Sequence, residues 1–289
     1  MKKIIFVIQI ILLLTLTNCA ENKNSEFDGE NAFQYAKKQV DFGPRTPGSE
    51  AHQNTVDWMI SELENNGWDT HLQTEQLDHY QIKNIVAQQT TSNDGPWIIL
   101  AAHYDSRFYA DRDPNPENHL SPVPGGNDGA SGVAVLLELS RILPKDLEKN
   151  VWLVFFDAED QGQIENWDWI LGSRSFVNTL EDKPDSVIIL DMIGDKDLNI
   201  HLEKNSDPKL QNEIWQIASD LGYREFFIPE YKYAILDDHI PFVEKGITAI
   251  DIIDFDYQYW HTVDDTVDNI SPYSLEVVGK TILHWLLVP

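Results

Sequence analysis

Two periodicities alternate along this chain. Predominantly apolar runs occur at residues 97–102, 151–156, 187–193 and 247–253, and a further extended segment covers 83–89. Runs of this length without polar alternation read as strands buried on both faces of a sheet. Between them the spacing turns helical. Val56, Met59, Ile60 and Leu63 share one face, with Ser49 as an N-cap before them and Gly67 closing the segment. Val133, Leu136 and Leu137 form a second face that Pro144 ends. Helices are also expected at 209–221 and, behind Ser271 as cap and Pro272 at the first position, at 273–287. Apolar strands alternating with helices predict a single α/β domain with a mostly parallel central sheet covered by helices on both faces. No internal repeat or linker interrupts the chain after residue 35, so that domain is expected over 35–289.

The N-terminus follows neither pattern. Lys2 and Lys3 precede an apolar run at 4–16 and then Leu16-Thr17-Asn18-Cys19. A basic start and an apolar run too short to span a bilayer predict an export signal over 1–18. Cys19 stands where a bacterial lipoprotein signal places its lipidated cysteine, although Asn18 is larger than the usual preceding residue. The polar stretch that follows predicts a lipid-anchored flexible tether over 19–34. These features imply a protein exported to the bacterial cell envelope, facing the periplasm or in the outer membrane, and attached to its membrane by lipid. Cys19 is the only cysteine, so the folded part has no disulfide. Cleavage before Cys19 removes two lysines from a chain whose net charge is already −27. Such a surface repels nucleic acid, which excludes DNA or RNA as a partner.

The predicted strands end on polar residues of one kind. Residues 97–102 run into His103-Tyr104-Asp105, 151–156 into Asp157-Ala158-Glu159-Asp160, 187–190 into Asp191, and 247–250 into Asp251. Asp128 lies in GGNDGASG just before a helix, and YWHTVDDT supplies His261. A lone carboxylate at a strand end is usually a turn residue, and Asp128 alone could serve as a helix cap. Several strand ends from distant parts of the chain, each delivering Asp, Glu or His, point to a metal or acid–base site. Ligands lie beyond the carboxyl ends of the strands in open α/β sheets. Imidazole with carboxylates is zinc chemistry, and three protein ligands with an open position is its catalytic form.

The series HYDS, NDGASG, FFDAED, LDMIGD, DDHIPF and WHTVDD, in this order, resembles the zinc-aminopeptidase-like family, and within it the glutaminyl cyclases. FGPRTPGSE extends the likeness to roughly residues 35–289. The resemblance implies Asp128, Asp160 and His261 as ligands of one zinc ion per chain, and Glu159 as general acid/base. It implies Asp191 and Asp237 as further active-site carboxylates and Trp260 as a pocket wall. Trp167 or Trp169 would supply a second pocket tryptophan. His103 and Asp191 correspond to holders of a second metal in two-zinc aminopeptidases, so ligand identity alone leaves one or two zincs open. His239 is expected either to support Asp237 or to act directly. Two positions depart from the animal cyclases: Asp160 stands in place of Glu, and Asp251 in place of a histidine in the active-site hydrogen-bond network. The implied reaction is conversion of N-terminal glutamine in peptides or proteins to pyroglutamate with release of ammonia. A zinc aminopeptidase is the alternative. A non-catalytic binding lipoprotein fits less well, because all three ligand positions and Glu159 are filled.

Overall fold

The structure, a computed structural model, describes residues 26–77, 80–89 and 95–288. The predicted export signal, Cys19 and residues 19–25 of the predicted tether lie outside the described residues. Six strands form the main sheet: β1 (Asp69–Gln76), β2 (Gln81–Gln88), β3 (Trp97–His103), β4 (Asn150–Phe156), β5 (Ser186–Asp191) and β8 (Ala249–Ile253). Their order is β1-β2-β4-β3-β5-β8. The pairs β4/β3, β3/β5 and β5/β8 are parallel, whereas β1 and β2 are antiparallel to their neighbours. The expected mixed, mostly parallel sheet is therefore present. A separate parallel pair joins β6 (Ile200–Leu202) to β7 (Phe227–Tyr231).

Residues alternate between the two sheet faces. On one face Leu100, Leu153, Ile188 and Ile250 pack with α2 (Glu50–Asn65), α3 (Ala130–Ile142), α5 (Pro208–Asp220) and α7 (Pro272–Leu287). On the other, Ile99, Val154, Phe156 and Ile189 meet Phe176 and Val177 of α4 (Leu171–Thr179) and Phe242 of α6 (Ile240–Glu244). The predicted caps are in place: the hydroxyl of Ser49 accepts from His52 N, and that of Ser271 from Ser274 N. Gly67 ends its segment with φ +85°, a conformation that costs a side-chain-bearing residue about 1–2 kcal/mol.

The sequence pattern missed β1, α4, α6 and the β6–β7 pair for identifiable reasons. DTHLQTEQ in β1 has one apolar residue, since an edge strand exposed along its length needs no buried face. Helices α4 and α6 are short and border the site, so their residues serve loops as much as core.

The domain also starts earlier than the pattern placed it. A tether reaching residue 34 is corrected by α1 (Gly29–Asp41), whose N-cap Asp28 accepts from the amides of Glu30 and Asn31. Small Ala32 and Ala36 and polar Gln39 form its buried face, which hides the helix from a search for large apolar residues. Phe27 is 3% exposed. Its ring lies so close on α7 that a methyl added at Gly279 would come within 2.1 Å of it. Removing a fully packed phenylalanine leaves a cavity as well as lost burial. Phe27→Ala is accordingly expected to lower unfolding free energy by about 3–5 kcal/mol, read from the urea midpoint. An unchanged midpoint would mean that the fold begins after α1.

Candidate metal centre

Four parallel strands bring the polar residues to one end of the sheet. His103 closes β3, Glu159 and Asp160 follow β4, and Asp191 closes β5. The chain turns sharply at these points. Ala158, Met192 and His261 adopt left-handed φ of 53°, 46° and 58°. Strained backbone of this kind persists only where surrounding structure enforces it, and it gathers at functional sites.

The ligand Asp128 of the sequence reading sits in the loop before α3. Its side chain makes no cap bond to that helix, whose N-cap is Gly129. The loop is fixed from below by Asp265, which accepts from Asn127 N at 2.7 Å and Asp128 N at 3.3 Å, and from Tyr257 at 2.8 Å. Arg45, fully buried, donates to the carbonyls of Tyr104, Pro124 and Gly125 and ties the same loop to the end of β3. Gly129 is required by space, since a Cβ there would lie 2.5 Å from His103 Nε2.

Asp128, Asp160 and His261 converge with one ligand atom each within 4.8 Å of the others. His261 Nε2 is 2.8 Å from Asp160 Oδ1 and 3.8 Å from Asp128 Oδ2. The second oxygen of Asp160 is buried with no hydrogen-bond partner among the described residues. An orphaned carboxylate oxygen beside a second carboxylate and an imidazole fits a divalent cation, and the donor set suits zinc with an open position. His103, Asp128 and Asp191 form a second such group that shares Asp128. His103 Nε2 lies 2.9 Å from Asp128 Oδ1 and 3.3 Å from Asp191 Oδ1. Behind them Asp105 braces the whole corner. It stands 3.5 Å from His103 Nδ1 and accepts from the amides of Glu159 and Asp160 and from Gln161.

Electrostatics mark this cluster strongly. Burial pushes Glu159 well above the ordinary carboxylate range, and the negative charges of Asp160, Asp237 and Asp238 add to the rise. Burial raises Asp160 to about 6 and Asp191 to about 7, partly offset by the neighbouring imidazoles. Burial alone would lower His261, yet Asp160, Asp111 and Asp128 override it and bring it to about 9. Asp251 is fully buried on β8, on the face covered by α6. Burial first, then the charges of Asp237, Asp191 and Glu203, raise it well above its usual range. A carboxyl facing like charges favours its protonated form, and neither side-chain oxygen of Asp251 has a hydrogen-bond partner among the described residues.

A cavity of about 230 Å³ opens beside this cluster, with Asp128, Glu159, Asp160, Asp191 and Asp237 among its lining residues. Its apolar walls include Trp260, Trp169, Phe255 and Ile253. The Trp260 ring stacks on His261 at 3.8 Å, and Trp169 lies parallel to the same imidazole on a longer spacing of 6.1 Å. Of the two tryptophans expected here, only Trp169 lines the cavity. Trp167 is corrected: the loop turns tightly through left-handed Gln163 and Glu165, and this indole packs on Tyr80 and Phe108 instead. His239 occupies the N-cap position of α6, with Nε2 3.3 Å from Glu203. Sequence reasoning passed over Arg45, Arg107, Asp111 and Asp265. The signal for Arg45 was available in FGPRTPGSE and that for Asp265 in WHTVDD, whereas Arg107 and Asp111 carry no pattern that separates them from surface charges.

A mixed sheet that delivers carboxylates and imidazoles from separate strand ends onto one point defines a metal-dependent α/β enzyme of the zinc-aminopeptidase-like fold. The chain belongs to peptidase family M28, which residues 84–286 match. It is 25% identical over 291 residues to the glutaminyl-peptide cyclotransferase of Bos taurus, covering 84% of this chain and 77% of that protein. Its fold superimposes on the crystal structure of Porphyromonas gingivalis glutaminyl cyclase with a TM-score of 0.85 and 33% identity, covering 91% of this chain and 98% of that one. A Zn-dependent exopeptidase from Parabacteroides distasonis is similar to the same degree, with TM-score 0.86, 32% identity, and coverage of 92% and 100%.

Separately replacing Asp128 and His261 by Ala is expected to abolish stoichiometric divalent-metal binding without unfolding the metal-free protein. Metal analysis after dialysis, with a thermal melt in chelator, checks both halves. Full metal content in either variant would contradict the assignment.

Proposed function

We propose that the protein is a glutaminyl-peptide cyclotransferase, with one zinc ion per chain at Asp128, Asp160 and His261. It acts on peptides or proteins with N-terminal glutamine. The observation that carries this reading is the set of carboxylates beyond the ligands. Glu159, Asp191 and Asp237 line one small cavity with tryptophan walls, a chamber suited to a single side chain folded back on its own amine. Similarity to the bovine cyclotransferase and the bacterial cyclase supports the same activity.

When bound, zinc supplies a Lewis acid that polarises the γ-carboxamide oxygen. Glu159, whose affinity for a proton is raised by burial, takes a proton from the substrate α-amine and returns it to the leaving nitrogen. The amine nitrogen bonds to the γ-carbon, the carbon–nitrogen bond of the carboxamide breaks, and ammonia leaves. Asp191 and Asp237 accept hydrogen bonds from the amine and hold it towards that carbon. Trp260 and Trp169 give the glutamine side chain flat apolar walls and reduce the water around it. The nucleophile belongs to the substrate, so neither serine nor cysteine is needed.

The second potential ligand group, His103, Asp128 and Asp191, favours the alternative of a two-zinc aminopeptidase, in which Glu159 would activate water instead. Products separate the two. The wild type is expected to release ammonia from Gln-initiated peptides and no free amino acid from Leu- or Ala-initiated ones. Glu159→Gln should keep its zinc while turnover falls by roughly 10²–10⁴-fold. Efficient release of leucine or alanine would establish the aminopeptidase.

Export and lipid anchoring at Cys19 are part of the same proposal, supported by the basic start and the short apolar run before it. Cys19→Ser is expected to move the protein from the membrane fraction to the soluble envelope fraction. Retention in the membrane would rule out this cysteine as the anchor.

A further inference from the structure

The turn after β3, Arg107-Phe108-Tyr109-Ala110-Asp111-Arg112-Asp113, is not among the metal-ligating residues, yet it wraps around ligand His261. The amide of Arg112 donates to the His261 carbonyl at 3.2 Å. Asp113 accepts from Val263 N at 3.1 Å, two residues beyond the ligand. These bonds hold the backbone from the left-handed His261 onward.

Side chains from the same turn reach the ligands themselves. Arg107 is a cation with 2% exposure, deep in an acidic corner. Its guanidinium grips Asp111 with two parallel bonds, Nε to Oδ1 and Nη2 to Oδ2, each 2.9 Å. It also donates from Nη1 to the carbonyl of Asp160 at 2.8 Å and from Nη2 to that of Gly162 at 3.2 Å, and it lies 4.8 Å from the centre of the Trp169 ring. Asp111, so fixed, places Oδ1 3.6 Å from His261 Nδ1, the ring nitrogen facing away from the metal position. That distance is an ion-pair contact rather than a formed hydrogen bond. Nδ1 is buried and has no hydrogen-bond partner among the described residues, which leaves Asp111 as the carboxylate that faces it.

We infer that Arg107 and Asp111 form a clamp that sets zinc affinity by positioning two ligands at once, the Asp160 main chain directly and the His261 ring through Asp111. Carboxylates behind metal-bound histidines fix the tautomer and orientation of the ring, and their loss typically costs 10–100-fold in metal affinity. Here the carboxylate is itself oriented by an arginine fork, so geometry as well as charge is specified. The inference rests on the zinc reading and not on the identity of the substrate.

The test compares the wild type with Asp111→Asn and Arg107→Lys. The zinc dissociation constant is measured by competition with a chelator, and thermal melts are recorded with and without zinc. Both variants are expected to bind zinc 10–100-fold more weakly, because Asn cannot accept the double fork and Lys keeps the charge but loses the fork. The rise in melting temperature on adding zinc should shrink in each, by more than any fall in its metal-free midpoint. Wild-type affinity in Asp111→Asn, or in Arg107→Lys, would overturn the clamp and leave the zinc site standing. An equal drop in the metal-free and zinc-loaded midpoints would reduce the turn to a structural brace and overturn it too. A wild type that binds no zinc would overturn the metal assignment and the clamp together.

Discussion

Buried negative charge at the carboxyl ends of β3, β4 and β5 governs this molecule. Asp128, Asp160, Asp191, Asp237, Asp251 and Glu159 are all at most 8% exposed, a density of carboxylates that water would ordinarily screen. Burial drives carboxyls to hold a proton, and the upward shifts at Glu159, Asp160, Asp191 and Asp251 express that pressure. A divalent cation would remove it at the end formed by Asp128, Asp160 and His261. The chemistry proposed for the site draws on the same tension, because a carboxyl whose surroundings raise its affinity for a proton is suited to take one up and pass it on.

The rest of the fold keeps these groups from moving apart. Apolar residues on both faces of the sheet lock the strands between two helical layers, so the carboxylates sit on rigid mounts rather than on free loops. Where loops must carry ligands, they are tied by side chains to main chain: Asp265 and Arg45 under the Asp128 loop, Asp105 under Glu159 and Asp160. The ligand loops thereby gain much of the stiffness of the sheet.

Most of the architecture and the main site residues were legible in the sequence, because both obey one-dimensional rules. Apolar runs announce strands, and a carboxylate placed just after each run announces the functional edge. What escaped was what depends on pairing in space. Strand β1 is visible only through its hydrogen bonds to β2, and α1 only through the small residues that fit against α3 and α7. The choice between Trp167 and Trp169 turned on the path of one tight loop, and no spacing rule reads that path. Arg107 resembles a surface arginine until the carbonyls of Asp160 and Gly162 are seen to meet it.

The early start of the domain has a consequence for reach. Phe27 is pinned against α7, and eight peptide steps separate it from Cys19. Fully stretched, that leash spans at most about 26–29 Å. An enzyme lipidated at Cys19 would therefore ride close over its membrane, within less than the thickness of a bilayer.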